Sequence, residues 1–168
     1  MIFNPRTMQK IKSLLLILFL IPVVNVFAQK NEIINPENIS AKKLKEIFEN
    51  AYVTVSEEDP EGKFIKIKDG YDVVYMDISK DKKYITYSVV WICDPKYSER
   101  DKLDLVNLIA EKAILLSPNY SRDKDDILMK YDLYIEGGVT AKNIVLTEKK
   151  FVLALKLALD IDTRKVIK

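Results

Sequence analysis

Two long segments of the chain alternate between apolar and other residues, and this alternation constrains the fold more than any other feature of the sequence. A period of two places every second side chain on the same face of a β-strand. Residues 83–93 and 127–135 therefore predict long strands with one face packed on a core and one mixed face. The core-facing sets are Ile85, Tyr87, Val89, Trp91, Cys93 and Ile127, Met129, Tyr131, Leu133, Ile135.

Shorter strands are predicted around these segments. Residues 52–56 and 63–68 flank an acidic turn, residues 71–78 are apolar on both faces and should be central, and residues 119–122 form a weak strand. Asp69-Gly70 matches a tight hairpin, because this pair supplies the positive φ that such turns need. We expect one antiparallel sheet.

Three helices are predicted, at residues 41–50, at 99–114 and over about twenty residues after Thr140. Ser40, Ser98 and Thr140 are the residue types that cap helix N termini. Gly137-Gly138 precedes the last helix, where the lack of a Cβ allows a sharp turn. The sequence thus predicts an α+β domain, an antiparallel sheet with helices on one face, in the order α-β-β-β-β-α-β-β-α.

Candidate binding residues lie on the last helix and on the mixed strand faces. Residues 151–159 are apolar nearly all round, so this stretch is either buried on several sides or in contact with another subunit. Tyrosine offers a large contact area at low entropic cost. For Tyr84 and Tyr134, ordinary cross-strand pairing is the favoured alternative. The candidates for contact with a partner are Tyr84, Val90, Ile92, Tyr134 and Leu155.

The first 28 residues have the composition of a cleavable secretory signal peptide. Three basic residues and no acid precede an apolar run at 14–24, which is shorter than the roughly 20 residues that cross a membrane. We expect cleavage between Ala28 and Gln29, no stable membrane anchor afterwards, and an exported protein, periplasmic or secreted. An uncleaved anchor is the weaker alternative. Residues 29–38 are predicted to be a flexible entry segment, and 39–165 a single domain.

Loss of the signal peptide changes the charge of the chain. It removes Arg6, Lys10 and Lys12, and subtracting these three from 27 Lys and Arg leaves 24 against 25 Asp and Glu. The predicted mature chain is therefore near neutral, and nucleic-acid binding loses its electrostatic support.

Composition also excludes several kinds of site. The chain has no His, which excludes Ser-His and Cys-His catalysis, and its single thiol, Cys93, cannot form an intrachain disulfide and is predicted to be buried. Its four glycines form neither a Walker loop nor a dinucleotide fingerprint. We therefore predict no cofactor.

Two acidic groups resemble cation sites without matching one. The group at 123–126 lacks both the glycine and the bidentate glutamate of a calcium loop, since Tyr134 stands at the twelfth position. The group at 57–61 lies in a turn, where a solvated charge run is the ordinary explanation. We predict no metal site.

Two stretches resemble a known family. Tyr131-Asp132-Leu133-Tyr134-Ile135-Glu136-Gly137-Gly138-Val139-Thr140, and Leu105-Val106-Asn107-Leu108 in the second helix, look like the YbjN family, described as candidate sensory transduction regulators of bacteria. The element order resembles the type III secretion chaperone-like fold. The resemblance covers roughly 40–160 and implies a dimerising or partner-binding domain without established catalysis. The export signal departs from a family pictured as cytoplasmic.

Three functions remain open at the level of sequence. The favoured one is an exported, non-enzymatic domain that binds another protein or its own copy as a homodimer. The alternative is a carboxylate-dependent periplasmic hydrolase, which needs two acids held at a fixed distance in one cleft. A structural envelope protein is the third. An acidic pair in a cleft would favour the hydrolase, and an open apolar strand or helix face would favour binding.

Overall fold

A computed structural model describes residues 32–69 and 72–168 of the chain. The predicted signal peptide and the tip of the Asp69-Gly70 hairpin lie outside these residues. Within the described residues, the eight strands are β1 (Ile33–Ile34), β2 (Val55–Glu58), β3 (Phe64–Asp69), β4 (Asp72–Ile78), β5 (Tyr84–Ile92), β6 (Ser117–Ser121), β7 (Asp126–Tyr134) and β8 (Val139–Thr140). The helices are α1 (Ala41–Asn50), α2 (Glu99–Lys112) and α3 (Ala141–Ile161), with a 3-10 turn at Pro36–Asn38.

Six strands form one antiparallel sheet in the spatial order β2-β3-β4-β5-β7-β6. Its longest pairing joins β5 to β7, from Tyr84 opposite Tyr134 to Ile92 opposite Asp126. The strand predicted to be central, β4, lies between β3 and β5, as expected. The α+β class and the antiparallel sheet predicted from the alternation are confirmed.

One face of the sheet is buried under the helices. The side chains on this core face alternate along each strand with those on the opposite face, which we call the open sheet face. Burial of this one face therefore fixes the register of each strand, because a slip of one residue would turn its apolar set outward. The buried set includes Ile65, Ile67, Val74, Met76, Ile85, Tyr87, Val89, Trp91, Ile127 and Met129.

The three helices begin at the predicted caps. The Ser40 hydroxyl accepts a hydrogen bond from the Lys43 amide at 3.1 Å, and the Thr140 hydroxyl accepts one from the Asn143 amide at 3.1 Å. Ser98 and Asp101 form a reciprocal capping box at the start of α2. Such caps satisfy amides that have no partner within the helix.

Several element boundaries differ from the predicted ones by one to three residues. The strand predicted at 52–56 begins at Val55 instead, since residues 51–52 form a turn in which Tyr52 has φ +59°. Helix α2 ends at Lys112, two residues before the predicted end, and β6 begins at Ser117 rather than 119. Pro118 is tolerated in β6 because this strand is at the edge of the sheet.

The entry segment is more ordered than predicted over the residues that the structure describes. Ile33 and Ile34 pair with Thr140 and Val139 in a second, two-stranded sheet. The prediction of a flexible segment at 29–38 is therefore wrong for residues 33–38. These contacts join positions about one hundred residues apart, which no local pattern indicates.

The domain also extends beyond its predicted end at residue 165. The Asp162 carboxylate accepts hydrogen bonds from the Val166 and Ile167 amides at 2.9 and 2.8 Å, and both of those side chains are buried. Ile167 forms a bridge with Cys93 at the end of β5. The last residues thus complete the core.

Among the described helices, none is both long enough and apolar enough to cross a bilayer.

Gly138 is the position where the turn before α3 requires glycine. Its φ is +86°, and a Cβ there would lie 2.5 Å from the Ile33 Cγ2 atom. We expect Gly138→Ala to lower the free energy of unfolding by about 1–2 kcal/mol, because an L side chain is strained at this φ. Gly137→Ala is the matched control, since a Cβ at Gly137 has no atom within 4 Å. Urea denaturation checks both, and equal stability of the two variants would contradict the expectation.

Candidate functional site

Four of the five predicted partner-binding residues share the open sheet face. Tyr84 and Tyr134 lie opposite each other on β5 and β7, with ring centroids 6.1 Å apart. Val90 and Ile92 follow along β5 and are exposed. The tyrosine contact is thus an ordinary cross-strand pair, the alternative favoured from the sequence.

Polar and charged groups interrupt the open sheet face. The Thr86 hydroxyl donates to an Asp132 oxygen at 2.6 Å, in the row next to the tyrosine pair. Asp77 lies opposite Thr86 on β4, and partial burial raises the pKa of its carboxyl, while nearby Lys130 opposes this shift. The face therefore offers a mixed surface rather than a continuous apolar one.

Leu155, the fifth candidate, lies elsewhere. Its side chain is fully buried in the core, on the side of α3 that faces the sheet. The prediction of Leu155 as a partner-contacting residue is therefore wrong, because its side chain has no surface to offer. The exposed leucines of the same stretch are Leu153, Leu157 and Leu159.

A groove with a volume of about 510 Å³ lies between the C-terminal end of α2 and the outer side of α3. We call it the helical groove. Its volume is in the range of known binding sites for small molecules and short segments. Its lining residues are Lys112, Ala113, Ile114, Leu115, Lys150, Leu153, Ala154, Lys156, Leu157 and Asp160.

Local structure explains why apolar side chains are exposed in the helical groove. The turn after α2 buries Ala113 and Leu116 in the core, with the Leu116 amide donating to the Ala113 carbonyl at 2.8 Å. Ile114 and Leu115, between them, consequently point outward, and Ile114 is 92% exposed.

The other wall of the helical groove follows from helical spacing. Leu153 and Leu157 are four residues apart and therefore lie on one side of α3, opposite its buried side. Leu153 is 68% exposed and Leu157 is 47% exposed. Contiguous apolar surface of this kind marks interaction sites in soluble proteins more often than isolated exposed residues do.

The rim of the helical groove is positively charged. Lys112, Lys150 and Lys156 contribute three positive charges, and Asp160 contributes one negative charge. Within the described residues, no carboxylate lies within ion-pair distance of these three lysines. The rim therefore has a net charge of about +2 that the domain itself does not neutralise.

Comparison with known proteins supports the fold. No family model matches the sequence, and no curated protein matches it significantly. The crystal structure of YbjN from E. coli, described as a candidate transcription regulator, superimposes with a TM-score of 0.62 at 11% identity, covering 76% of this chain and 94% of that chain.

The chain has a YbjN-like fold. At 11% identity the likeness establishes the architecture alone. The YbjN-like fold that the sequence resemblance implied is confirmed, whereas membership in a YbjN sequence family is not shown. The YbjN-like fold thus provides the helices and the sheet, and the chemistry of the surface has to be argued from this chain's own residues.

The acidic turn at 57–61 is a network of ion pairs. Glu58 contacts Lys45 at 3.2 Å, Glu57 pairs with Lys66, and the Asp59 carboxylate accepts from the Lys63 amide at 3.0 Å. Across the described residues, no group of three or more His, Cys, Asp or Glu side chains is placed to hold a metal ion.

Asp125, from the acidic group at 123–126, belongs to a structural cluster at the end of β5. Its Oδ1 atom accepts hydrogen bonds from the Lys102 ammonium at 2.5 Å and from the Tyr120 hydroxyl at 2.7 Å. These bonds lower the pKa of the Asp125 carboxyl, and the same contact raises the pKa of Tyr120 to about 12. The carboxylate is thus already engaged within the domain.

The neighbouring thiol has the character of a core residue. The Cys93 side chain is buried, as predicted, and burial raises its pKa to about 11, with Asp125 nearby adding to the shift. A thiol with this pKa is almost entirely protonated at neutral pH, and the protonated form is a poor nucleophile.

Loss of the Lys102–Asp125 pair should destabilise the domain more when Lys102 is left without a partner than when Asp125 is. The Lys102 side chain is 6% exposed, whereas that of Asp125 is 39% exposed and can reach water. We expect Asp125→Asn to lower the urea midpoint more than Lys102→Met, because only the first leaves a buried charge without its partner. Asparagine tolerates the φ of +53° at this position, so the change isolates the charge.

The same pair should respond to acid. Because the folded pKa of Asp125 is lowered, its contribution to stability is present above the unfolded pKa and is lost as the pH falls through the folded value. Below pH 5, the Asp125→Asn variant should therefore lose stability less steeply than the unmodified protein. Parallel profiles of stability against pH for Asp125→Asn and the unmodified protein would contradict this account. So would a larger fall of the urea midpoint in Lys102→Met than in Asp125→Asn.

Proposed function

We propose that this chain is a non-enzymatic protein-binding domain that works outside the cytoplasm and binds its partner through the helical groove. The observation that carries the proposal is the contiguous exposed surface of Ile114, Leu115, Leu153 and Leu157 between two packed helices. Exposing such side chains to water is unfavourable, and covering them releases roughly 25 cal/mol for each Å² of apolar area buried. A partner that covers the groove would recover this free energy.

The groove supports binding better than hydrolysis. A carboxylate-dependent hydrolase needs two acids in one cleft, and the lining of the helical groove contains one, Asp160. On the open sheet face, Asp132 accepts a hydrogen bond from Thr86 and lies on an exposed surface rather than in a cleft. These observations favour the binding hypothesis over the hydrolase alternative.

The open sheet face is a second binding surface in this proposal. Tyr134 and Ile92 are well exposed at opposite ends of the β5–β7 pair. Tyr84, directly opposite Tyr134, and Val90, two residues before Ile92, lie on the same face. We assign the primary contact to the helical groove because its apolar side chains are contiguous and its charged residues lie at the rim, whereas Thr86, Asp132 and Asp77 lie within the open sheet face.

Export and a divergent YbjN relationship complete the proposal. The basic start, the apolar run and the peptidase site support export, and the fold together with the Tyr131–Thr140 motif supports distant kinship with YbjN. The description of YbjN names transcription regulation for that protein. We do not extend it to this chain, because the mature chain would be near neutral and outside the cytoplasm.

Export predicts a defined mature terminus. When the full chain is produced in a bacterial host, we expect the protein in the envelope or medium fraction to begin at Gln29, because Val26-Phe27-Ala28 supplies a peptidase site. Intact mass and N-terminal sequencing measure this. Ala28→Arg is the control that should block processing. A cytoplasmic protein that keeps Met1 would contradict export.

Binding at the helical groove predicts site-specific crosslinks in intact cells. A photoreactive benzoylphenylalanine placed at Leu153 or Leu157 should yield an adduct of one shared mass, because both positions line the groove. Leu159, exposed on α3 but outside the lining, is the matched control and should yield none. Adducts from Tyr134 and Ile92 with none from Leu153 would move the contact to the open sheet face and contradict the proposal.

A further inference from the structure

We propose that the helical groove binds an amphipathic helix of another protein, about three turns long, with acidic residues beside its apolar stripe. This inference rests on the proposed function and names its partner by chemistry. The length of the groove, its small floor residues and the charge of its rim support such a partner.

The dimensions of the helical groove fit a short helix. Its wall on α3 runs from Lys150 to Asp160, and ten residue steps at a rise of 1.5 Å span about 15 Å, or three turns. The floor is made of small residues, Ala113 and Ala154, which are both buried. Small side chains at a helix contact let a second helix approach closely, and the flanking leucines can then interdigitate with its apolar stripe.

The rim selects the charge of the partner. Lys112 stands on the α2 side of the groove, and Lys150 and Lys156 stand on the α3 side. A helix in the groove would therefore have lysines along both of its edges. Acidic residues flanking its apolar stripe would pair with them, and basic residues there would be repelled.

The same charges argue against a second copy of this chain as the occupant. In a two-fold dimer through this surface, the helical groove of one subunit would face the same groove of the other. A rim of net charge about +2 would then meet an identical rim, and like charges across an interface oppose association. An acidic partner is the complementary solution.

An anionic membrane shares the charge preference but fits the shape less well. The apolar side chains line a concave groove of about 510 Å³, which suits an inserted convex helix. Helices at a membrane surface instead lie in the plane of the interface and bury one apolar face along their length. Vesicle binding is therefore tested as a competing outcome.

Two labelled peptides test the proposal with the chain from Gln29 to Lys168. The first is a 14-residue helix with Leu at positions i, i+3, i+4 and i+7 and Glu flanking the stripe, and the second carries Lys in place of each Glu. Fluorescence anisotropy at 50 and 300 mM salt measures binding. We expect the Glu peptide to bind at least tenfold more tightly than the Lys peptide at low salt, with the difference shrinking at high salt.

Matched variants locate the site. Lys150→Glu should weaken the Glu peptide about fivefold, whereas Lys142→Glu makes the same charge change outside the lining of the groove on the same helix and should leave it unchanged. Leu153→Gln should weaken both peptides about tenfold, and Leu159→Gln should weaken neither. Circular dichroism verifies that each variant is folded.

The possible results distinguish the acidic helical partner from protein binding at the helical groove in general. Equal binding of the two peptides, both weakened by Leu153→Gln, overturns the acidic partner and keeps the helical groove as a protein-binding site. Peptide binding that Leu153→Gln leaves unchanged overturns both, because the peptide then binds elsewhere. No binding of either peptide overturns the acidic helical partner, and the crosslinks at Leu153 and Leu157 then decide the proposed function. Vesicles of phosphatidylglycerol and phosphatidylcholine that bind in preference to the Glu peptide would identify a membrane surface. A dimer that Leu153→Gln dissociates would identify a second copy.

Discussion

The packing of α3 against the core face of the sheet is the contact on which the rest of the structure depends. The Tyr87 hydroxyl, fully buried on β5, donates to the Ile144 carbonyl of α3 at 2.9 Å, and its ring lies 6.2 Å from that of Phe151. Together the hydrogen bond and the ring contact fix the rotation of the helix. With Leu155 turned inward, Leu153 and Leu157 are necessarily turned outward, so the same contact that completes the core creates the apolar wall of the helical groove.

Much of the fold follows from local patterns in the sequence. Strand alternation predicted the buried face of β5 and β7, and the hydroxyl residues before each helix predicted all three N-terminal caps. The contacts that escaped prediction join distant positions: Ile33–Ile34 with β8, and the chain end with Asp162 and Cys93. Such pairings depend on which surfaces the folded chain brings together, and no window of neighbouring residues contains that information.

The candidate site was predictable in part. Residues 151–159 contain a single polar residue, Lys156, so this window alone predicts Leu155 as a contact residue. Continuing the helical spacing from Ile144 through Phe151 assigns Leu155 to the buried side, and it also shows Glu148 there, a buried carboxylate 3.5 Å from Lys149. The second wall was beyond sequence reasoning, because Ile114 and Lys112 reach the groove only through the packing of α2 beside α3.

The central claim is that the helical groove, and not the open sheet face, is where this domain meets an acidic helix. Amide chemical-shift mapping of the isotope-labelled mature chain with the Glu-flanked peptide measures this directly. The account predicts that the largest shifts fall on residues 112–115 and 150–160, with Tyr134 and Ile92 unchanged. Shifts concentrated on β5 and β7, with the helical groove unperturbed, would contradict it.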